Sequence, residues 1–536
     1  MPVGIILQVI ILNKRVIFVY TVMLSSFALL LLRVAYLGSS TYSEAAKEKS
    51  TRTIVIAEAR GKIYDRNLNR ITESNEKLLS VVIPTIGAAS YLRAYMSEEE
   101  ITERLQMGFP FTIETKEKIN NSFIRTFSVY DRYSENQLAP HITGYIDKDK
   151  KGVYGIEKSF DDFLRKNKGK LSVTFEADRT GRILAGMDKH IKDENYSSKA
   201  GVVLTLDSEI QSIAESALQN SRIKSGCAIV MKAKTGEILA LASVPEFDPT
   251  AVEKSLKAEN SPFLNKALCA YSPGSVFKPL VAVAALESGI SADYTYDCKG
   301  QIKIGDSVFT CYNHNAHGKI NMTTALEESC NTYFINLLRK TGTENLLSLC
   351  EKLGIENEIH LASAIVSSKG TLPDRESLKS KGNCANFAFG QGELLITPLK
   401  MAEIYTVLAT GSYKKASLVR GLTNYKGLLT TEKLQPEIKL ISDSTVLQMK
   451  KMLKSVVENG KAEKACSELV SLSGKTGTAQ SGVYENKKEI LRTWFSGFFP
   501  SDNPNYVVVV MNENGEGGNS DCAPVFKKIC EGIVTR

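Results

Sequence analysis

Ser275 and Lys278 stand three residues apart in the stretch Tyr271-Ser272-Pro273-Gly274-Ser275-Val276-Phe277-Lys278-Pro279-Leu280. On a helix that spacing puts both side chains on one face, so the lysine amine reaches the serine hydroxyl within one turn. If its surroundings keep the amine neutral, it can take the serine proton and activate the oxygen as a nucleophile. Pro273 and Gly274 mark a turn. The apolar residues Val281, Val283, Ala284 and Leu286, followed by Gly289, predict a buried helix that Ser275 opens and the glycine closes. Taken alone, the pair also fits a helix N-cap followed by a surface lysine.

Two further motifs follow. Ser329-Cys330-Asn331 interrupts a helical run from Met322, before an amphipathic run with Tyr333, Phe334, Leu337 and Leu338; a helix-turn-helix break there puts Ser329 and Asn331 on a loop facing a cleft. Lys475-Thr476-Gly477, continued by Thr478-Ala479-Gln480, opens a strand. Singly these read as a cap, a turn residue and a strand-edge charge. A fourth group, Cys298, Cys311, His317 and Cys330, lies within 33 residues and overlaps the second motif. Three thiols and an imidazole suit tetrahedral zinc; a Cys298 to Cys311 disulfide, or four reduced unliganded side chains, suit the same residues.

The elements that must position these residues show in the hydrophobic periodicity. Val202 to Leu206 predicts a strand, and Asp207 the cap of a helix with Ile210, Ile213, Ala214, Ala217 and Leu218 on one stripe. Cys227 to Met231 and Glu237 to Ser243 predict a hairpin turning at Lys234-Thr235-Gly236. Thr397 and Pro398 start a helix, Trp494 to Phe498 and Tyr506 to Met511 are strands, and Ala523 to Val534 is a closing amphipathic helix. The catalytic region is thus α+β, an antiparallel sheet flanked by helices. Before it, residues 38 to 55 read as a helical stalk, and the chain to about 165 as an α+β scaffold with exposed arginines and glycines at turns; the polar stretch 193 to 200 reads as a linker.

The 536 residues are 43% hydrophobic, enough for more than one domain, and carry a net charge of +8. No basic cluster with interleaved aromatics points to nucleic acid; an anionic wall polymer or a membrane surface suits the mild bias. The apolar run Val16 to Leu37, broken only by Arg33, is long enough to span a bilayer. Lys14 and Arg15 before it place residues 1–15 in the cytoplasm and the remainder outside; a cleaved signal peptide is the competing reading. Of the ten cysteines, Cys227, Cys269, Cys350, Cys384, Cys466 and Cys530 are expected mostly as small buried hydrophobes.

The three catalytic motifs, in this order within one domain, are the signature of penicillin-recognising serine enzymes. The chain resembles class B penicillin-binding proteins along nearly its whole length. The resemblance includes Arg60-Gly61 with Asp65-Arg66-Asn67, the segment Gly152 to Glu157, Gly390-Gln391-Gly392, and Ala523-Pro524-Val525-Phe526. It implies one transmembrane helix (16–37), a stalk and elongated dimerisation pedestal (38–195) and a transpeptidase domain (196–536). β-Lactamases lack the pedestal, and no room precedes it for a glycosyltransferase domain.

The resemblance implies a peptidoglycan D,D-transpeptidase that needs no cofactor for its chemistry and is acylated by β-lactam antibiotics. Ser275 would be the nucleophile toward stem peptides ending in D-Ala-D-Ala, and Lys278 the general base. Ser329 would relay a proton, Lys475 would supply positive charge, and Asn331 would bind the substrate amide. The Ser275 and Thr478 N–H groups would form the oxyanion hole, and Thr476, Gly477 and Thr478 would line the carboxylate site. Some elongation-type relatives hold zinc at positions matching the cysteine and histidine cluster. Those landmarks lean toward the elongation or sporulation branches, with division as the other role, and class B enzymes generally work with a polytopic membrane glycosyltransferase. A β-lactam sensor, a β-lactamase and a largely scaffolding assembly protein are the alternatives.

Overall fold

The computed structural model describes residues 3–39, 51–178, 180, 182–183, 190–431, 436–485 and 487–536. Helix α1, Val3–Ser39, includes the charge-poor stretch Lys14–Ser39, whose 26 residues rise about 39 Å. Its apolar side chains from Val16 to Leu37 are exposed. The helix runs further at both ends than the apolar run alone predicts.

The described residues form two compact units. One comprises residues 1–59, 76–130 and 169–197. Thr51–Ala59 is a strand that pairs antiparallel with Gly169–Glu176, which pairs in turn with His190–Glu194. The helical stalk therefore does not extend over residues 51–55: the run Thr51 to Val55 is rich in β-branched residues and finds a strand partner far along the chain. The rest of that stalk, residues 40–50, lies outside the described residues. Glu76–Val82 is the centre of a second three-stranded sheet. The helix Glu98–Met107 beside it starts in a capping box, in which Ser97 Oγ accepts from Glu100 N and Glu100 Oε2 accepts from Ser97 N.

The second unit comprises residues 60–75, 131–168 and 198–536. Its helices include α2 (Ser208–Gln219), α3 (Lys278–Glu287), α4 (Met322–Glu327), α5 (Asn331–Thr341), α6 (Pro398–Thr410), α7 (Asp443–Glu458) and α8 (Ala523–Val534). Its main sheet comprises β1 (Gly226–Lys232), β2 (Ile238–Val244), β3 (Ser473–Glu485), β4 (Lys488–Phe499) and β5 (Tyr506–Gly515). The order is β2-β1-β5-β4-β3, antiparallel throughout, with β3 at the edge. Every residue from Val507 to Met511 is buried, so both faces of the sheet are covered, with α2 and α8 among the helices that pack on it. Asp207 caps α2 and Thr397 caps α6, as the sequence predicts. Cys227, Cys350 and Cys530 are buried, whereas Cys466 is exposed.

Arg60 and Arg132 are not exposed turn charges. Arg60 Nε donates to Glu157 Oε2 at 2.9 Å and its Nη2 to Asp161 Oδ1 at 2.5 Å, while Arg132 bridges Glu157 and Glu73. Glu73 also pairs with Lys62. Arg60, Lys62, Glu73 and Glu157 are all buried. Burying such charges is expensive unless each finds a partner of opposite sign, and here each does. Lys62–Tyr64 runs parallel to Gly201–Leu204 in a four-stranded sheet, so the network lies within the unit that carries the catalytic motifs.

Candidate active site

Ser275 sits in a 3₁₀ turn, Gly274–Phe277, that runs directly into α3. The sequence predicts Ser275 as the start of the helix; Pro279 explains the tighter first turn, since it supplies no N–H to an α-helical ladder. The turn is tethered from three sides. Gly274 N donates to Gly390 O (2.9 Å), Tyr405 Oη on α6 to Val276 O (3.1 Å), and Trp494 Nε1 on β4 to Ser272 O (3.1 Å). Strand β3 crosses close by. A Cβ on Gly477 would stand 2.8 Å from Pro273 O and 3.0 Å from Val276 Cγ1, so only glycine lets the strand approach the turn.

Lys278 begins α3 and is fully buried. Its Nζ donates to Ser329 O and to Asn331 Oδ1, each at 2.6 Å, and lies 3.2 Å from Ser329 Oγ. The Phe334 ring, 5.8 Å away, forms part of its surroundings. Burial pushes this amine down to about 7 from the usual 10.5; the Cys330 and Cys311 thiols oppose the shift and Lys461 adds to it. Ser329 joins α4 to α5 with a φ of +55°, a left-handed conformation uncommon for serine and typical of residues held for function. Asn331 is fixed by Nδ2 donating to Thr310 O at 2.9 Å.

Lys475, on β3, is also fully buried and is held well below the ordinary lysine range, first by burial and then by the charges of Lys278 and Lys461. Its Nζ donates to Thr476 O at 3.3 Å. Thr478 is exposed at the edge of the sheet. Thus Lys278, Ser329 and Asn331 meet directly, Gly477 lies against the Ser275 turn, and the electrostatics of Lys475 and Lys278 are coupled. Among the described residues the Ser275 hydroxyl has no hydrogen-bond partner. Such contacts often form only once substrate is bound.

Lys461 has no motif to mark it. It lies after α7, pairs with Glu328 Oε2 at 2.9 Å, and brings a third cation toward the two catalytic-motif lysines.

The remaining group also converges. Cys298 Sγ is 3.7 Å from Cys311 Sγ and 3.3 Å from His317 Nδ1, and Cys311 Sγ is 3.7 Å from Cys330 Sγ. All four donor atoms lie within 4.8 Å of one another, and all three cysteines are free thiols. Metal–sulfur bonds of about 2.3 Å at tetrahedral angles put sulfurs about 3.8 Å apart, so the donor set fits zinc. The Cys330 thiol helps hold Cys311 toward its thiolate form. Among the described residues the buried His317 Nε2 has no hydrogen-bond partner; it faces Glu328 Oε2 at 3.7 Å.

The Ser275 turn, the buried Lys278 and the edge strand β3 thus lie together. A family model described as the penicillin binding protein transpeptidase domain matches residues 226–531. Stage V sporulation protein D of Bacillus subtilis is 28% identical, the match covering 96% of this chain and 85% of that one. Peptidoglycan D,D-transpeptidase MrdA of Acinetobacter baumannii is 27% identical over 96% and 87%. A chain in the solved structure described as "Structural coordination of polymerization and crosslinking by a peptidoglycan synthase complex" shares the fold, with a TM-score of 0.68, 23% identity, and coverage of 97% and 98%. The chain belongs to the penicillin-binding protein transpeptidase family, in its class B branch, and its enzymatic class is that of a serine D,D-transpeptidase.

Proposed function

We propose that this chain crosslinks peptidoglycan through an acyl-enzyme on Ser275. Ser275 Oγ attacks the penultimate D-Ala carbonyl of a stem peptide, and Lys278, as the free amine, takes the hydroxyl proton. The N–H groups of Ser275 and Thr478 receive the oxyanion of the tetrahedral intermediate. The peptide C–N bond then breaks, Ser329 passes a proton to the departing D-Ala amine, and the acyl group remains on Ser275. An amine of an acceptor peptide attacks this ester, closing the crosslink and returning the proton to Ser275. Asn331 orients the substrate amide, Lys475 when protonated adds positive charge beside the relay, and Thr476, Gly477 and Thr478 take the terminal carboxylate. The unpaired edge of β3 takes the peptide backbone as an added strand.

The observation that carries this reading is the fully buried Lys278, whose Nζ lies among Ser329 O, Ser329 Oγ and Asn331 Oδ1 with its basicity lowered by burial. β-Lactams acylate the same serine. The direct test incubates the purified full chain with a stem pentapeptide and an acceptor amine. D-Ala release together with a crosslinked product is expected. Hydrolysis of β-lactams at high turnover, with no crosslink, would instead make the protein a β-lactamase.

Residues 38–195 serve as the pedestal and 196–536 as the transpeptidase domain. Helix α1 anchors the chain as a single pass, with residues 1–15 cytoplasmic and the catalytic domain outside. A polytopic membrane glycosyltransferase supplies the glycan strands; the likeness to a chain from a complex that polymerises and crosslinks favours this. Cys298, Cys311, His317 and Cys330 would hold a structural zinc, supported by the fit of the donor set. A bound zinc would supply no step of the acyl transfer; these residues would brace the loop that bears Ser329 and Asn331. Protein purified without added metal should contain close to one equivalent of zinc, and well below one equivalent contradicts this assignment.

A further inference from the structure

The loop between β5 and α8 closes over the back of strand β3. Gly518 N donates to Thr478 Oγ1 at 3.3 Å. The approach is close: a Cβ on Gly518 would stand 2.5 Å from Trp494 O, 2.7 Å from Gly477 O and 3.0 Å from Gly477 N. Any side chain there must push the loop off the strand and pull the N–H away from the threonine. The loop is held by the buried Asp521, whose Oδ2 accepts from Glu516 N (2.7 Å), Gly517 N (3.2 Å) and Thr493 Oγ1 (3.2 Å).

A threonine hydroxyl can accept and donate at once. Here the accepting side is taken by the Gly518 N–H. Among the described residues nothing accepts the Thr478 proton, and the side chain is exposed. The hydroxyl thus accepts from Gly518 N–H and keeps its proton for a group beyond the described residues.

We infer that Gly518 is a positioning residue for anion recognition: its N–H occupies one side of Thr478 Oγ1 and presents the Thr478 proton to the carboxylate of the substrate. The inference rests on the reading of Thr478 as part of the carboxylate site and adds the group that orients it. Hydrogen bonds to a charged acceptor are stronger than those to a neutral one. Loss of the orientation therefore weakens recognition of a free acid more than that of its ester.

The test compares acylation rates of Ser275 by a penicillin and by its methyl ester, using the full chain in detergent. The acid-to-ester rate ratio is the readout, because a general loosening of the fold lowers both rates together. Gly518→Ala should lower the ratio roughly tenfold or more, the size expected for one hydrogen bond to a charged group. Thr478→Val should lower it similarly, and the double variant no further, since both changes remove one interaction. Gly517→Ala is the control. Gly517 has a φ of −173°, and a Cβ there would come no closer than 3.2 Å to Ser520 Oγ; its ratio should match the parent's. If Gly518→Ala does not fold, Asp521→Asn, which loosens the loop without adding an atom, should lower the ratio in its place. An unchanged ratio in folded Gly518→Ala, or additive losses in the double variant, overturns the inference. A parent that neither compound acylates overturns the functional reading, and this inference with it.

Discussion

The buried lysine makes a specific demand on the pH dependence of acylation. An amine at the ordinary lysine value of 10.5 is free base only about three times in ten thousand at pH 7; one lowered to about 7 is free base half the time. The environment of Lys278 thus raises its basic form roughly a thousandfold at neutral pH. The sign follows from burial, which disfavours the charged form. Acylation by a fluorescent penicillin, followed as a second-order rate constant from pH 5.5 to 9, should rise about tenfold per unit below the midpoint and level off above about 7. The groups that face Lys278 electrostatically are Cys330, Cys311 and Lys461, and Lys278 in turn acts on Lys475. Lys461→Gln removes a cation that holds Lys278 down, so its midpoint should move to higher pH. A profile flat from pH 5.5 to 8.5, or one that falls as pH rises, would refute Lys278 as the base.

Two predictions address the frame around the site. Glu157→Gln removes the carboxylate shared by Arg60 and Arg132 within the buried network; it should cost about 3–5 kcal/mol in denaturant unfolding of the catalytic unit, and a loss below about 1 kcal/mol would show that the network relaxes or hydrates. Gly390 has a φ of +79°, and a Cβ there would stand 2.2 Å from Gly274 O; Gly390→Ala should lower the acylation rate constant at least tenfold by displacing the Ser275 turn, and an unchanged rate constant would mean that this tether does not position the nucleophile.

Much of the catalytic unit was legible because its signals are local. Asp207 and Thr397 announced their caps, and the strands β1, β2, β4 and β5 and helix α8 followed from their apolar runs. The three motifs pointed to a candidate site because each residue type suits one chemical role and their order is specific. What escaped depends on partners distant in sequence. Thr51–Ala59 is a strand because Gly169–Glu176 pairs with it, and no local pattern shows that. Arg60 and Glu157 read as solvated charges because burial of an ion pair leaves no periodicity in either segment. Lys461 and Gly518 act through electrostatics and through a backbone N–H, neither of which marks a sequence. The cysteine and histidine cluster lies between: its chemistry was readable, but its convergence to 3.7 Å contacts required the fold.

The most direct test of the account is time-resolved labelling of the full chain and its Ser275→Ala variant with fluorescent penicillin, with mass spectrometry of the labelled peptide. A long-lived adduct on Ser275 is expected in the parent and none in the variant. Label on another residue, undiminished labelling of Ser275→Ala, or no labelling of the parent would contradict it.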